Sequence, residues 1–311
     1  MGEAASLDEV LSEVLSSIVE KEEDVVVLDA DSSRACGTDG LAKSHPKKFF
    51  QLGIAQQDLF GTAAGLALDG KLPFVSSFAA FIPRALEQIR NSVARESLPL
   101  RIIGVSAGFS LAREGTPLHC FEDLAIFRSL PNLQVYSPAD GRELEAILRH
   151  LSKHRKKPAY IRLGSSPKKE LVPEDYEFKE GEPLCLRKGK DLCIFSTGIM
   201  VERALEAAEL LQDDGIQAQI ISLSTLKEYN EEAIVEYAKE SGIVLTAEEH
   251  SVIGGLGSLV ASTLARRFPC PMDMIGTSDC FTPSGEEKDL VKSHGLNPRS
   301  IFERSKRLLG Q

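Results

Sequence analysis

Residues 49–58 read FFQLGIAQQD. An apolar run from Phe49 to Leu52 meets Gly53, and a small-residue run at helical spacing follows. A strand that turns into a helix holds polar side chains at a fixed place, which makes Gln56, Gln57 and Asp58 candidates for ligand contact. A carboxamide donates and accepts hydrogen bonds but cannot take up and return a proton near neutral pH. Other chemistries lack their motifs: the sequence has no GxxxxGK[ST], no HExxH, no paired-cysteine metal pattern and no GxSxG elbow. Ile253-Gly-Gly-Leu-Gly-Ser258 approaches a dinucleotide loop, but its spacing is wrong, and it reads as the tightly packed start of a helix.

These residues need a scaffold, and the sequence supplies one. Ser6-Leu-Asp-Glu9 has the form of a capping box, and Leu7, Val10, Leu11, Val14, Leu15 and Ile18 then recur at helical spacing. Stretches 24–30, 72–78, 100–107, 133–139 and 159–164 read as buried strands, with helical stretches at 83–97 and 141–154 between them. Residues 165–188 mix charge with proline and read as a linker. Alternation then resumes, with strands expected at 191–198, IQAQIISL and IVLTAEE, and helices at VERALEAAELLQDDG, NEEAIVEYAKESG and GLGSLVASTLARRF. Continuous apolar strands alternating with helices predict α/β architecture with parallel sheets covered on both faces. The expected organisation is two domains, 1–165 and 188–311, joined by a linker at 166–187.

The chain has 311 residues and a net charge of −10, so a phosphate backbone is an unfavourable partner and no nucleic acid is expected. No apolar stretch reaches the ~20 residues that span a bilayer, and the acidic N-terminus has no signal-peptide pattern. Six cysteines without a CxxC pair suit a reduced, cytoplasmic protein with no membrane association.

GIAQQDLFGTAAGLALDGKLPFVSSFAAFIPRALEQIRNSVA (53–94) resembles the pyrimidine-binding domain of transketolases. LAREGTPLHCFEDLAIFRSLPNLQVYSPAD (111–140) and AYIRLG (159–164) resemble later parts of that domain, and LTAEEHSVIGGLGS (245–258) resembles the family's C-terminal domain. The resemblance covers nearly the whole chain and is strongest to the C-terminal subunit of split, two-chain transketolases. It implies a pyrimidine domain of the thiamine-diphosphate-binding fold followed by a transketolase C-terminal-like α/β domain. It also implies thiamine diphosphate as cofactor, with Mg2+ or Ca2+. The family holds the diphosphate and metal on a GDG-containing segment, and this chain has no GDG. A separate N-terminal transketolase subunit is therefore the implied partner, in a heterotetramer, with a sugar phosphate or related small molecule as substrate.

The same resemblance assigns residues. The family motif reads GIAEQN, and its glutamate bonds N1′ of the aminopyrimidine, which promotes loss of the thiazolium C2 proton. Gln56 stands at that position, and a lost acid–base group costs about 10²–10⁴ in rate. Asp58 stands where the family has asparagine. On an ideal helix it points about 200° away from Gln56 and cannot replace it. At 114–119 the family reads DGPTHQ or DGATHQ. Glu114 falls on its aspartate, Leu118 on its histidine and His119 on its glutamine. His119 is then either the displaced catalytic histidine or a loop residue without chemistry. Phe78 and Phe81 match aromatics that pack on the pyrimidine, Arg84 replaces a tyrosine of some relatives, and Arg162 matches an arginine that holds a sugar phosphate. Arg34 is a weaker anion contact, and Glu248 and Glu249 read as structural.

The implied activity is transfer of a two-carbon ketol unit from a ketose to an aldose, with an altered proton relay. The alternatives are a non-catalytic regulatory or stabilising subunit, a 2-oxoacid dehydrogenase β chain, and a deoxyxylulose-phosphate synthase relative. The further changes at Asp58 and Leu118 make Gln56 read as natural divergence rather than an isolated engineered block.

Overall fold

The computed structural model describes residues 5–311. In the first half, α1 (Leu7–Lys21), β1 (Val25–Asp29), α2 (Asp39–Ser44), β2 (Phe49–Gln51), α3 (Gln56–Leu68) and β3 (Leu72–Phe78) follow one another. A broken helical run over 82–94 contains α4 (Leu86–Gln88), and β4 (Arg101–Val105), α5 (Asp123–Ser129), β5 (Gln134–Tyr136), α6 (Gly141–Lys153) and β6 (Ala159–Arg162) complete it. The six strands form one sheet in the order β2-β1-β3-β4-β6-β5, and every pairing is parallel.

The sheet is sealed on both faces because its strands are apolar on both. Side chains of a strand alternate between faces. Val25, Val27, Phe74 and Ile103 pack under α1 and α6, while Val26, Leu28, Val75 and Ile102 pack under α3 and the 82–94 run. Each large side chain so buried contributes about 1.5–3 kcal/mol. The capping box forms as expected: the Ser6 N–H donates to Glu9 Oε2 at 2.9 Å, and Ser6 Oγ accepts from Glu9 N–H.

The second half contains β7 (Leu184–Arg187), β8 (Leu192–Ser196), α7 (Met200–Asp213), β9 (Ala218–Ser222), α8 (Glu231–Ser241), β10 (Val244–Ser251), α9 (Leu256–Arg267), β11 (Met272–Thr277), α10 (Glu287–Ser293) and α11 (Pro298–Leu308). Its sheet runs β11-β10-β8-β9-β7, parallel except for β7 on β9. The stretch read as linker, 166–187, therefore contains a strand. Its residues are half-buried at a sheet edge, so the hydrophobic pattern that marks a central strand is missing. The stretch is also strapped to the first half: Asp140 Oδ2 accepts from Leu171 N–H and Val172 N–H at 2.6 and 2.7 Å.

The halves join at the carboxyl edge of the first sheet, the edge where parallel sheets take ligands. Ser137 N–H donates to Ser224 O at 2.8 Å, and Arg128 donates to the carbonyls of Leu226, Gly254 and Gly255.

Candidate active site

The turn between β2 and α3 is built by Gly53 and Gln51. Gly53 has φ +71°, and its N–H donates to Gln51 Oε1 at 3.1 Å; the same oxygen accepts from Asp31 N–H at 2.7 Å. α3 then begins at Gln56, which is 5% exposed. Among the described residues its carboxamide forms no hydrogen bond. It opens on a concavity of about 490 Å3 lined also by Ile54, Ala55, Gln57, Asp58 and Arg84. Gln57 Nε2 donates to Arg84 O at 3.4 Å. Asp58 was expected to point away from Gln56. It lies exposed on the rim of the same concavity, and no hydrogen bond joins the two.

Phe78 ends β3, and Phe81 meets it edge to face at 5.7 Å. The Arg84 guanidinium lies 4.2 Å from the centre of the Phe81 ring, a cation–π distance. Gln56, Arg84, Phe81 and Phe78 thus form a continuous wall. Two half-buried aromatic rings and one unpaired carboxamide suit a flat heteroaromatic ligand that needs apolar contact and one in-plane hydrogen bond. Beyond Phe78 the wall continues into a cleft of about 750 Å3 between the two halves.

Of the loop at 111–120, Leu111 lines the larger cleft, while Glu114 and His119 line neither that cleft nor the concavity beside Gln56. Glu114 ends a short 3-10 turn and is exposed. His119 is turned inward, 6% exposed, with its ring centre 5.3 Å from that of Phe109 and the two rings nearly perpendicular. Its Nε2 lies 3.1 Å from Ala112 O, which can only accept, so Nε2 carries the hydrogen and Nδ1 accepts from the Thr282 hydroxyl. Both nitrogens are therefore committed. His119 lines a separate hollow of about 410 Å3 with Thr282 and Phe121. Neither Glu114 nor His119 shares a cavity with Gln56 among the described residues.

Arg162 requires a correction. It is 4% exposed, and its Nε donates to Asp123 at 3.0 Å. Its Nη2 donates to Cys120 O at 3.2 Å and Glu249 O at 2.8 Å. The Tyr160 hydroxyl completes Asp123 at 2.6 Å. The fork expected to face a sugar phosphate is thus spent on internal acceptors and ties the two halves together. Arg34 is exposed on the loop after β1.

The glycine-rich turn before α9 serves the chain itself. Glu248 Oε2 and Oε1 accept from Leu256 N–H and Gly257 N–H at 2.6 and 2.8 Å, filling the helix N-terminus with an internal carboxylate. A Cβ on Gly255 would lie 1.9 Å from Glu248 Oε2, so no other residue fits without movement. Burial pushes Glu248 up to about 7, against those two backbone bonds. His250 beside it is fully buried, donates from Nδ1 to Ser251 O at 2.7 Å, and is lowered to about 4 by burial.

Sequence reasoning missed the residues of the large cleft. Ser106, Ser110 and Ser165 line it at the ends of β4 and β6, and Arg203 reaches in from α7. Only their position after parallel strands could have singled them out. Among the described residues there is no cluster of metal-binding side chains, and no helix long and apolar enough to cross a membrane.

Comparison with known proteins gives the family and the domains. Residues 3–169 match the family model of the transketolase pyrimidine-binding domain, and residues 181–301 match the transketolase C-terminal domain. A 6-deoxy-6-sulfo-D-fructose transketolase subunit of Clostridium sp. (strain MSTE9) is 37% identical over 93% of this chain and 90% of its own length. One of the subunits of an apulose-4-phosphate transketolase from Phocaeicola vulgatus is 32% identical over 93% of each sequence. Among solved structures, a split-gene transketolase described as an inactive beta4 tetramer is 40% identical, covers 99% of each chain and superposes with a TM-score of 0.91. The chain belongs to the transketolase family and carries its pyrimidine-binding and C-terminal domains in the form found in split transketolase subunits.

Proposed function

We propose that this chain forms the ring-facing wall of a thiamine diphosphate site completed by an N-terminal partner subunit. The assembly transfers a two-carbon ketol unit from a ketose donor to an aldose acceptor. The observation that carries this reading is the buried, unpaired Gln56 carboxamide on the wall that holds Phe78, Phe81 and Arg84. The cofactor, when bound, supplies the carbon nucleophile that carries the two-carbon unit. The partner supplies the diphosphate and Mg2+ ligands, in a heterotetramer within the cytoplasm.

The chain's own residues bind and orient. Phe78 and Phe81 offer apolar surface to the aminopyrimidine and exclude water from it. Gln56 donates one hydrogen bond from Nε2 to the ring nitrogen N1′ and fixes the ring's rotation. A carboxamide holds that position without relaying a proton, so turnover is slower than with a carboxylate. Arg84 keeps a positive charge at the rim.

Gln56 also favours a second reading, a regulatory or stabilising subunit that keeps the wall without the relay. Co-expression with an N-terminal subunit, then addition of thiamine diphosphate and Mg2+, separates the two. Cofactor binding with measurable ketol transfer supports the enzyme; cofactor binding without transfer supports the second reading. Failure of the assembled pair to bind the cofactor rules out the first.

A further inference from the structure

Gln51 ends β2 and lies exposed on the free chain, yet its side chain is fully engaged. Its Oε1 accepts from Asp31 N–H at 2.7 Å and from Gly53 N–H at 3.1 Å, and its Nε2 donates to Asp29 Oδ1 at 3.3 Å. Among the described residues neither of those N–H groups has another partner. One side-chain oxygen therefore ties the loop after β1 to the turn before α3.

Both tied residues have backbone that needs holding. Asp31 has φ +61° and Gly53 has φ +71°, both in the left-handed region. A non-glycine residue there is strained and persists only where its surroundings over-determine it. Asp29 is the anchor. It is buried, and its carboxylate also accepts from Ser32 N–H at 2.6 Å, from the Ser32 hydroxyl at 3.2 Å and from the Ser76 hydroxyl of β3 at 3.1 Å. Past Gly53 the chain has little slack. Ala55 N–H donates to Gly53 O at 2.8 Å, Leu59 N–H donates to Ala55 O at 2.9 Å, and α3 begins at Gln56 between them.

We infer that Gln51 is a positioning residue for the cofactor ring: it fixes the first turn of α3 and, through it, the Gln56 carboxamide. Removing the Gln51 oxygen frees the Gly53 peptide, and the start of α3 then shifts relative to Phe78 and Phe81. A hydrogen bond weakens steeply outside a narrow range of distance and angle. A misplacement of about 1 Å at a reacting site costs up to about 10²-fold. Gln51 acts through Gln56, so its contribution vanishes where the Gln56 carboxamide is absent. The inference rests on the reading that this chain supplies the ring-facing wall of a thiamine diphosphate site, and it adds what holds that wall in register.

The test is a double-mutant cycle on the chain assembled with its N-terminal partner and Mg2+, read by calorimetric affinity for thiamine diphosphate and by exchange of the thiazolium C2 proton at saturating cofactor. Gln51→Leu should weaken binding and slow exchange by about tenfold each in the parent. In a Gln56→Ala background the same substitution should change either by less than about twofold. Should Gln51→Leu fail to fold by circular dichroism, Gly53→Ala takes its place: its Cβ meets nothing within 4 Å, and only the left-handed φ opposes it. Equal losses in both backgrounds mean a general structural role and overturn the inference, as does a folded variant that loses nothing in the parent; both leave the cofactor wall standing. A parent assembly that binds no thiamine diphosphate overturns the inference together with the wall.

Discussion

Gln56→Glu is the most informative single change. Glutamate has nearly the same shape, so the first turn of α3 and the concavity beside it are kept. The side chain is 5% exposed and, among the described residues, has no hydrogen-bond partner to lose. In the free subunit the new carboxyl opens on the same concavity, and stability changes little. In the assembled enzyme it gains an acid–base role at the ring nitrogen. A positioned group of this kind is worth about 10²–10⁴ in rate, or about 2.7–5.5 kcal/mol of barrier. Two assays separate the relay from binding. One is the exchange of the thiazolium C2 proton with solvent deuterium, followed by NMR after acid quench. The other is cofactor affinity by calorimetry. The account predicts exchange and kcat faster by about 10²–10⁴ with affinity changed less than about tenfold. Exchange that is unchanged or slower while the cofactor still binds would refute the reasoning, because the carboxamide would then not face N1′ or would have a role of its own.

Other substitutions test the framework that positions this wall. Arg162→Met leaves Asp123 buried with only the Tyr160 hydroxyl, and chemical denaturation should show a loss of about 3–5 kcal/mol, partly recovered by adding Asp123→Asn. Gly255→Ala drives a methyl into Glu248 and should cost about 2–4 kcal/mol, whereas Gly61→Ala in α3, where a Cβ meets nothing, should gain about 0.5–1 kcal/mol. His250 gives a pH signature. Its folded value near 4 lies below the ordinary 6.5, so the unfolded chain takes the proton first and stability falls as pH drops from 6.5 to 4. Glu248 works oppositely between 4.5 and 7, because the folded state keeps its proton longer. Relative to the parent, His250→Asn should therefore gain stability on acidification, by up to about 3 kcal/mol in urea titrations at pH 4 and 7.

Central strands were legible because parallel strands sealed on both faces are continuous apolar runs. The expected strand at 72–78 is the observed β3, and 159–164 contains β6. The edge strand β7 was not, since its half-buried residues sit among charges. The stretch 83–97 reads as one helix, yet the backbone passes from 3-10 through α to π over 82–94, and periodicity does not resolve such changes. At the site, the strand-to-helix position of Gln56 and the Phe78–Phe81 spacing were visible locally. The fates of Arg162 and His119 were not. Asp123 lies 39 residues from Arg162, and Thr282 lies 163 residues from His119. The folding of the first half brings Asp123 to Arg162, and the packing of the two halves brings Thr282 to His119; a linear motif carries no trace of either.

The central claim is that this chain supplies the wall on which the vitamin's ring lies. A structure of the chain assembled with its N-terminal subunit, thiamine diphosphate and Mg2+ tests it most directly. The account predicts the aminopyrimidine against Phe78 and Phe81, with N1′ within about 3.2 Å of the Gln56 carboxamide nitrogen. A ring bound away from residues 53–84, or a carboxamide turned from it toward the protein, would contradict it.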